Sequence, residues 1–352
     1  MKKKMNFLFL MVPILAMADA STEEQQKNPL EFFVDGSFTY WYAKEDGLNL
    51  ARSSVLLGSG TTELSSNEET MNQSFSYEPG FKVGLGLMSE EDWCLSMNYT
   101  YYRSKNTTRK DAPSNPNLTS GTGVWSVNDW FLQDSLLSKQ HLSGTNLSST
   151  WKLGMDLGDV VFSRPAINKK GFGVSPFGGL RTVWIRQNLD LYLTQAAASV
   201  GLSGDVPAQP ISSDNTSHSW GIGPRLGTIG RYFLPCGFRL EGLLGISVLY
   251  TKFSSIKHSE QRASLLTPEL VYKARVDNYN TVRPIAEANL GAGWEKRINE
   301  KYSFSLFSSY DFSYFWGQNA MRSMVDELSY GSYTGDNDLY FQGLTVTAIF
   351  CF

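Results

Sequence analysis

The last fifteen residues, Asp338 to Phe352, restrict what this chain can become more than any other stretch. Leu344, Val346, Ala348, Phe350 and Phe352 fall on one side at strict two-residue spacing, with Gly343, Thr345, Thr347, Ile349 and Cys351 on the other. Successive side chains of a β-strand point to opposite faces, so the run has one wholly apolar face and one mostly small or polar face. A strand of this kind that ends the chain on Phe has the pattern of the closing strand of an outer-membrane barrel. On this stretch alone, the competing reading is an edge strand of a soluble sandwich.

The N-terminus favours export. Met1-Lys2-Lys3-Lys4 precedes an apolar stretch from Met5 to Ala16, and small residues follow at Ala16, Ala18 and Ala20. That arrangement predicts a secretory signal over residues 1–20, which leaves 21–352 as the barrel. No later run of 18 apolar residues occurs, so helical spans are excluded. Charged residues are few at 18%, aromatics many at 13%, and glycines number 31. A membrane barrel alternates apolar with polar residues, and so combines such a composition with the slightly negative mean hydropathy observed. A net charge of −3 offers no basic patch for nucleic acid.

Ten period-2 segments keep one face free of charge. They centre on 32–42, 75–87, 93–101, 151–157, 171–187, 220–226, 238–250, 282–294, 302–314 and the C-terminal strand. In the fourth, Trp151, Leu153, Met155 and Leu157 are expected to face lipid, opposite Lys152, Gly154, Asp156 and Gly158. The connections alternate between long, such as 45–72, 188–217 and 254–280, and short, such as 89–92 and 234–237. Long external loops, short periplasmic turns and an even strand number belong together in bacterial barrels. The predicted fold is therefore all-β, a closed antiparallel transmembrane barrel of about 10 strands, or 12–14 if the long loops conceal further hairpins.

Lipid supplies no hydrogen-bond partner, so the sheet must close and charge must face inward. The expected pore-lining residues are Glu78, Lys82, Asp156, Arg181, Arg225, Arg239, Glu241, Arg283, Glu287 and Asp311. Their near balance of sign predicts weak ion selectivity. Inward glycines such as Gly84, Gly86, Gly154, Gly223 and Gly227 are expected either to widen a ten-strand lumen or to make room for an inserted loop. Tyr40, Tyr42, Phe75, Tyr77, Tyr101, Trp151, Trp220, Tyr250 and Tyr314 form the expected outer aromatic girdle, and Trp93, Phe238, Trp294, Tyr302 and Phe350 the inner one. Met321, Met324, Val325 and Leu328 recur at helix spacing after the capping residue Asn319, and 129–137 is a short apolar run. Either segment would enter the lumen or cover its mouth.

Chemistry is sparse. His141, His218 and His258 lie in or beside the expected external loops without the spacing of a dyad or a metal site, and read as solvated loop residues. No cofactor or metal is expected. Cys94, Cys236 and Cys351 all fall at the periplasmic end, where they are free thiols or candidates for an intermolecular disulfide.

Several short motifs carry a family resemblance. Asp156-Leu157, Ser163-Arg164-Pro165, Pro176-Phe177-Gly178-Gly179-Leu180-Arg181, Trp220-Gly221-Ile222-Gly223-Pro224-Arg225, Leu249-Tyr250-Thr251 and Trp316-Gly317-Gln318-Asn319 resemble the Legionella-type major outer membrane protein family, which is also found in environmental relatives of chlamydiae. The resemblance implies a pore-forming role, abundance in the outer membrane and surface adhesion. The expected function is passive diffusion of small hydrophilic solutes and ions without catalysis. A filled barrel that binds partners through its loops is the alternative, and a loop-mouth protease a more distant one. Expected partners are outer-membrane lipid, the barrel-assembly machinery, which would select the chain by its terminal Phe352, and further copies of the chain in a homo-oligomer.

Overall fold

In the computed structural model the described residues are 30–56, 62–64, 69–89, 93–112, 122–127, 130–132, 142–169, 171–198, 206–263, 268–299, 301–331 and 337–352. The signal assigned to 1–20 lies outside them, as do His141 and most of the 129–137 run. Ten long strands form the wall: Leu30–Glu45 (β1), Tyr77–Ser89 (β2), Cys94–Asp111 (β3), Asn146–Ser163 (β4), Phe172–Ala198 (β5), Val206–Phe233 (β6), Phe238–Ala263 (β7), Tyr279–Arg297 (β8), Ser303–Phe315 (β9) and Leu339–Cys351 (β10). Each pairs antiparallel with its sequence neighbour, and β1 closes the ring against β10. The ten-strand reading holds over 12–14. The short strands of the first long connection, Asn49–Leu56, Thr62–Leu64 and Thr70–Asn72, pair with one another or with the second connection rather than entering the wall.

The closing strand sits as its alternation requires. Leu344, Phe350 and Phe352 are exposed to the lipid side, whereas Thr345, Thr347, Ile349 and Cys351 are buried within. The N–H of Phe352 donates to the Phe32 carbonyl at 2.8 Å, and the N–H of Phe32 donates back at 3.0 Å, so the last residue completes the seam. The rings of Phe32, Phe350, Phe352 and Tyr302 stack at 5.8–6.2 Å along the inner interface. At the other interface Tyr40 and Tyr42 each meet Tyr77 at 5.4 Å, and Tyr314 meets Trp316 and Tyr340 at 4.8 and 6.3 Å. From Phe32 to Tyr40 the strand has the length of about 9 residues that a tilted strand needs to cross a bilayer. The two aromatic rows thus bracket an apolar band of bilayer height.

Two expected loops are sheet instead. β5 and β6 pair without a register break from Phe172↔Tyr232 to Leu193↔Ile211, and β7 runs to Ala263 beside an added strand, Pro268–Val276. β6 has 28 residues, whereas crossing a bilayer takes about 9–11, so over half of it stands outside the membrane. Leu189, Leu191, Leu193 and Ile211 explain the extension: they continue the period-2 pattern and bury their side chains inside the projecting wall.

The face assigned to 151–157 is reversed. Trp151, Leu153, Met155 and Leu157 are buried inside the barrel, while Lys152 and Asp156 point outward. Alternation alone sets which residues share a face, not which face is inner. Here the inner one is apolar because it packs on other apolar groups within the outer half of the barrel.

Candidate functional site

The site is the lumen, and its wall is built in three layers. At the periplasmic end Phe33, Val161, Phe177, Ile229, Leu243 and Ile349 pack with Cys94 and Cys351. Inward glycines do not widen this end. A Cβ on Gly86 would lie 2.4 Å from the Phe33 ring, and one on Gly227 would lie 2.3 Å from the Phe177 ring, so each glycine is the recess that an aromatic from a neighbouring strand fills.

The middle layer is ionic. Arg181 donates two hydrogen bonds to Asp159, at 2.8 and 2.9 Å, and a third to Glu287 at 2.8 Å. Arg225 donates to the other Glu287 oxygen at 2.5 Å and lies 3.4 Å from Asp159. Two guanidiniums and two carboxylates from four strands therefore neutralise one another out of solvent. Beside them Lys82 donates to Asp311 at 2.6 Å, its ammonium 4.6 Å from the Trp41 ring centre, while Ser309 and Thr345 also donate to Asp311. Toward the periplasm Arg231 pairs with Glu241 at 2.7 Å, and Arg239 pairs with Glu295 at 2.8 Å. Such desolvated charges persist only when matched, because a single uncompensated one is expensive to bury. A small cavity of about 30 Å³ lies between Lys82, Arg181, Glu287 and Asp311, roughly the room of one water.

The outer layer is an apolar plug. Trp41, Trp151, Phe315 and Phe341 come from the wall, while Trp130, Phe131 and Leu132 come from the second long connection. The helix Ala320–Tyr330 (α1) adds Met321 and Val325, both fully buried. Asn319 caps α1 by accepting from the Arg322 N–H at 3.0 Å, as its position in the sequence predicts. The Trp130 indole N–H donates to the Asn49 carbonyl at 2.8 Å, and the N–H of Leu132 donates to Glu260. The segment 130–132 is thus fastened to the first long connection and to β7, and α1 is tied at its start by the Asn319 amide, which donates to the Asp46 carbonyl at 2.8 Å.

Of the predicted lining residues, Lys82, Arg181, Arg225, Arg239, Glu241, Glu287 and Asp311 do meet inside, though as paired, buried groups rather than as the lining of an open water column. Glu78 is at the rim, accepting from the Ser76 hydroxyl at 2.9 Å. Arg283 sits higher, beneath α1. Asp156 is a correction: it lies on the outer surface and accepts from Arg103, Arg186 and Tyr99 at 2.7–3.0 Å. The fourth member of the central network, Asp159, was hidden by the reversed face of β4. Its two-residue spacing from Leu157 and Val161 is the signal that points to it. His218 is half-buried, but His258 departs from a solvated loop residue: it is fully buried between Asn215 and Glu260, at 2.7 Å from each.

The thiols are sorted by the same wall. Cys94 and Cys351 are buried inside the barrel, where neither can reach a neighbouring molecule, whereas Cys236 is exposed in the turn Pro235–Gly237 at φ 64°. A maleimide added to folded protein is expected to label Cys236 alone, with Cys94 and Cys351 reacting after unfolding. Mass-spectrometric mapping that finds all three modified at similar rates would contradict this packing.

Comparison with known proteins agrees with the geometry. No curated protein matches the chain. Among solved structures, an outer membrane protease of Escherichia coli is 10% identical, covering 94% of this chain and 99% of its own at a TM-score of 0.36. A major outer membrane protein of Thermus thermophilus is 9% identical over 92% of this chain and 100% of its own, with a TM-score of 0.26. A FadL homologue of Pseudomonas aeruginosa is 8% identical over 92% and 90%, with a TM-score of 0.30. Likenesses this distant bear on neither activity nor substrate. The profile of the Legionella pneumophila major outer membrane protein precursor, by contrast, matches residues 27–352, nearly the whole sequence. With that match over a ten-strand barrel bounded by aromatic rows, the chain belongs to the Legionella major outer membrane protein family and resides in the bacterial outer membrane.

Proposed function

We propose that the protein is a gated pore for small hydrophilic solutes and ions, non-catalytic, and closed in the conformation described. The observation that supports this reading is the origin of the blocking groups. At mid-depth the wall offers Ser37, Thr39, Lys82, Asn98, Asp159, Arg181, Arg225, Glu287 and Asp311 to the lumen. Above them Trp130, Phe131, Leu132, Met321 and Val325 arrive on 130–132 and α1, which are connections, whereas Trp41, Trp151, Phe315 and Phe341 belong to the wall. The part of the plug carried on connections can leave while the hydrogen-bonded ring stays whole. Conduction would then need the wall aromatics to turn aside and partners to exchange within the ionic layer.

A second reading, a filled barrel that acts through its projecting outer end, is favoured by the complete burial of Trp125, Trp130 and Trp151. Planar-bilayer recording separates the two. Purified protein is expected to show infrequent discrete openings of weak ion selectivity, and a Trp130→Ala/Phe131→Ala variant is expected to be open for a much larger share of the time. Silence from both proteins would sink the pore and leave the filled barrel.

A further inference from the structure

A second cavity lies apart from the ionic layer. It measures about 480 Å³ and lies at the external end between α1 and the wall, bounded by Ile256, Val276, Tyr279, Arg283, Ala320 and Met324, with Ser323, Glu327 and Gly331 at its helix side. That volume lies within the roughly 300–1,000 Å³ of small-molecule sites. Its composition is also that of such a site: mostly apolar walls with a few polar groups.

Arg283 is what makes this cavity specific. The inward-facing arginines Arg181, Arg225, Arg231 and Arg239 each hold a carboxylate at 2.5–2.8 Å, and on α1 Arg322 holds Asp326 at 2.7 Å. Arg283 has no ion pair and no hydrogen bond among the described residues, and its Nε is buried without a partner. It is half-buried, with its guanidinium 6.0 Å from the Phe253 ring centre, at the edge of cation–π range. Gly317, at φ 64°, lies against it: a Cβ there would fall 2.2 Å from Nη1, so the glycine keeps room for the guanidinium. The Arg283 guanidinium is a planar fork of donors suited to two oxygens of one carboxylate.

We infer that this cavity binds a small organic carboxylate with an apolar body, the carboxylate on Arg283 and the body against Ile256, Val276, Met324 and the Tyr279 ring. Inorganic anions would leave the apolar walls unused. A neutral apolar molecule would leave the guanidinium unpaired. Glu327 is exposed on the helix side and disfavours a second negative charge, which selects a monocarboxylate. The site lies off the axis, so the inference stands whether or not the barrel conducts.

Isothermal titration of the purified, folded barrel with octanoate tests it, with octanamide as a neutral isostere and leucine as a zwitterion. Saturable octanoate binding is expected, weakened at least about tenfold in Arg283→Gln, which corresponds to the ~1.4 kcal/mol lower bound for such a change. Octanamide should bind as weakly to the parent as octanoate does to that variant. Val276→Asp, at a wall position already 40% exposed and therefore a mild change to the fold, should also abolish octanoate binding. Heat-modifiability on gels shows that each variant remains a folded barrel. Unsaturable octanoate uptake, equal binding by Arg283→Gln or equal binding of octanamide would each overturn the inference. Leucine binding more tightly than octanoate would overturn it in favour of a zwitterion held between Arg283 and Glu327.

Discussion

Glu287→Gln is expected to destabilise the barrel by about 3–5 kcal/mol, the loss typical when one member of a buried charge network is neutralised. Glu287 accepts from Arg181 at 2.8 Å and from Arg225 at 2.5 Å, and its carboxylate is 5% exposed. Without its charge both guanidiniums would have only Asp159, leaving one positive charge unmatched inside the wall. Urea unfolding from lipid vesicles measures the effect. Removing one charge of each sign, in Arg225→Met/Glu287→Met, should restore most of the loss, because the remaining pair Arg181–Asp159 is neutral and already bidentate. If Glu287→Gln lies within about 1 kcal/mol of the parent, the range of a solvent-exposed pair, the layer is hydrated and the account of it is wrong. In bilayers the same variant should carry more anion current, since an uncompensated guanidinium at the constriction lowers the barrier for anions.

Deleting Phe352 is expected to remove most heat-modifiable barrel from the outer membrane while export across the inner membrane continues. Two contributions are combined in that one residue. Its backbone closes the seam with Phe32, and its exposed ring, stacked on Phe32 and Phe350, presents the aromatic end that we propose the assembly machinery selects. Refolding of the deleted chain into lipid vesicles, where no machinery is present, distinguishes them. A terminal pair of hydrogen bonds contributes about 0.5–1.5 kcal/mol each, too little to unmake a closed barrel, so refolding should survive. Phe352→Tyr should assemble normally in cells. Normal outer-membrane barrel after the deletion would count against selection by the terminal ring, and loss of refolding in vesicles would assign the whole effect to the seam.

Much of the wall was legible without coordinates because lipid imposes a rule that a sequence displays residue by residue. Charge is excluded from one face at every second position, and Phe32, Phe38, Tyr40, Leu344 and Phe350 stand outside as that rule requires. The rule fails where the lumen itself is apolar. Trp151 to Leu157 alternate as cleanly as any lipid-facing run, yet they face inward, because inside the outer half of the barrel they pack on the other apolar groups of the plug. For the same reason Asp156 stands outside and Asp159 inside, the reverse of what the alternation suggests. The strand continuations of β5 and β6 are hard to see in the sequence because Asn188, Asp190 and Asp214 stand outside while the inner face mixes leucines with the polar Ser213, Asn215 and Ser217, which resembles a loop until the partner strand is seen.

What the sequence by itself determined was the envelope: ten alternating segments, a charge-free belt and a closing strand that runs to Phe352. These follow from local periodicity, which depends only on residues a few positions apart. The contents of the lumen were decided by the tertiary structure. Arg181 meets Glu287 across 106 residues and Lys82 meets Asp311 across 229, while Arg283, of the same residue type as Arg181, is left unpaired beside a cavity. Sequence lists such charges without saying which cancel, since an ion pair is settled by separation in space. In a closed barrel, strands far apart in the chain face one another across the lumen.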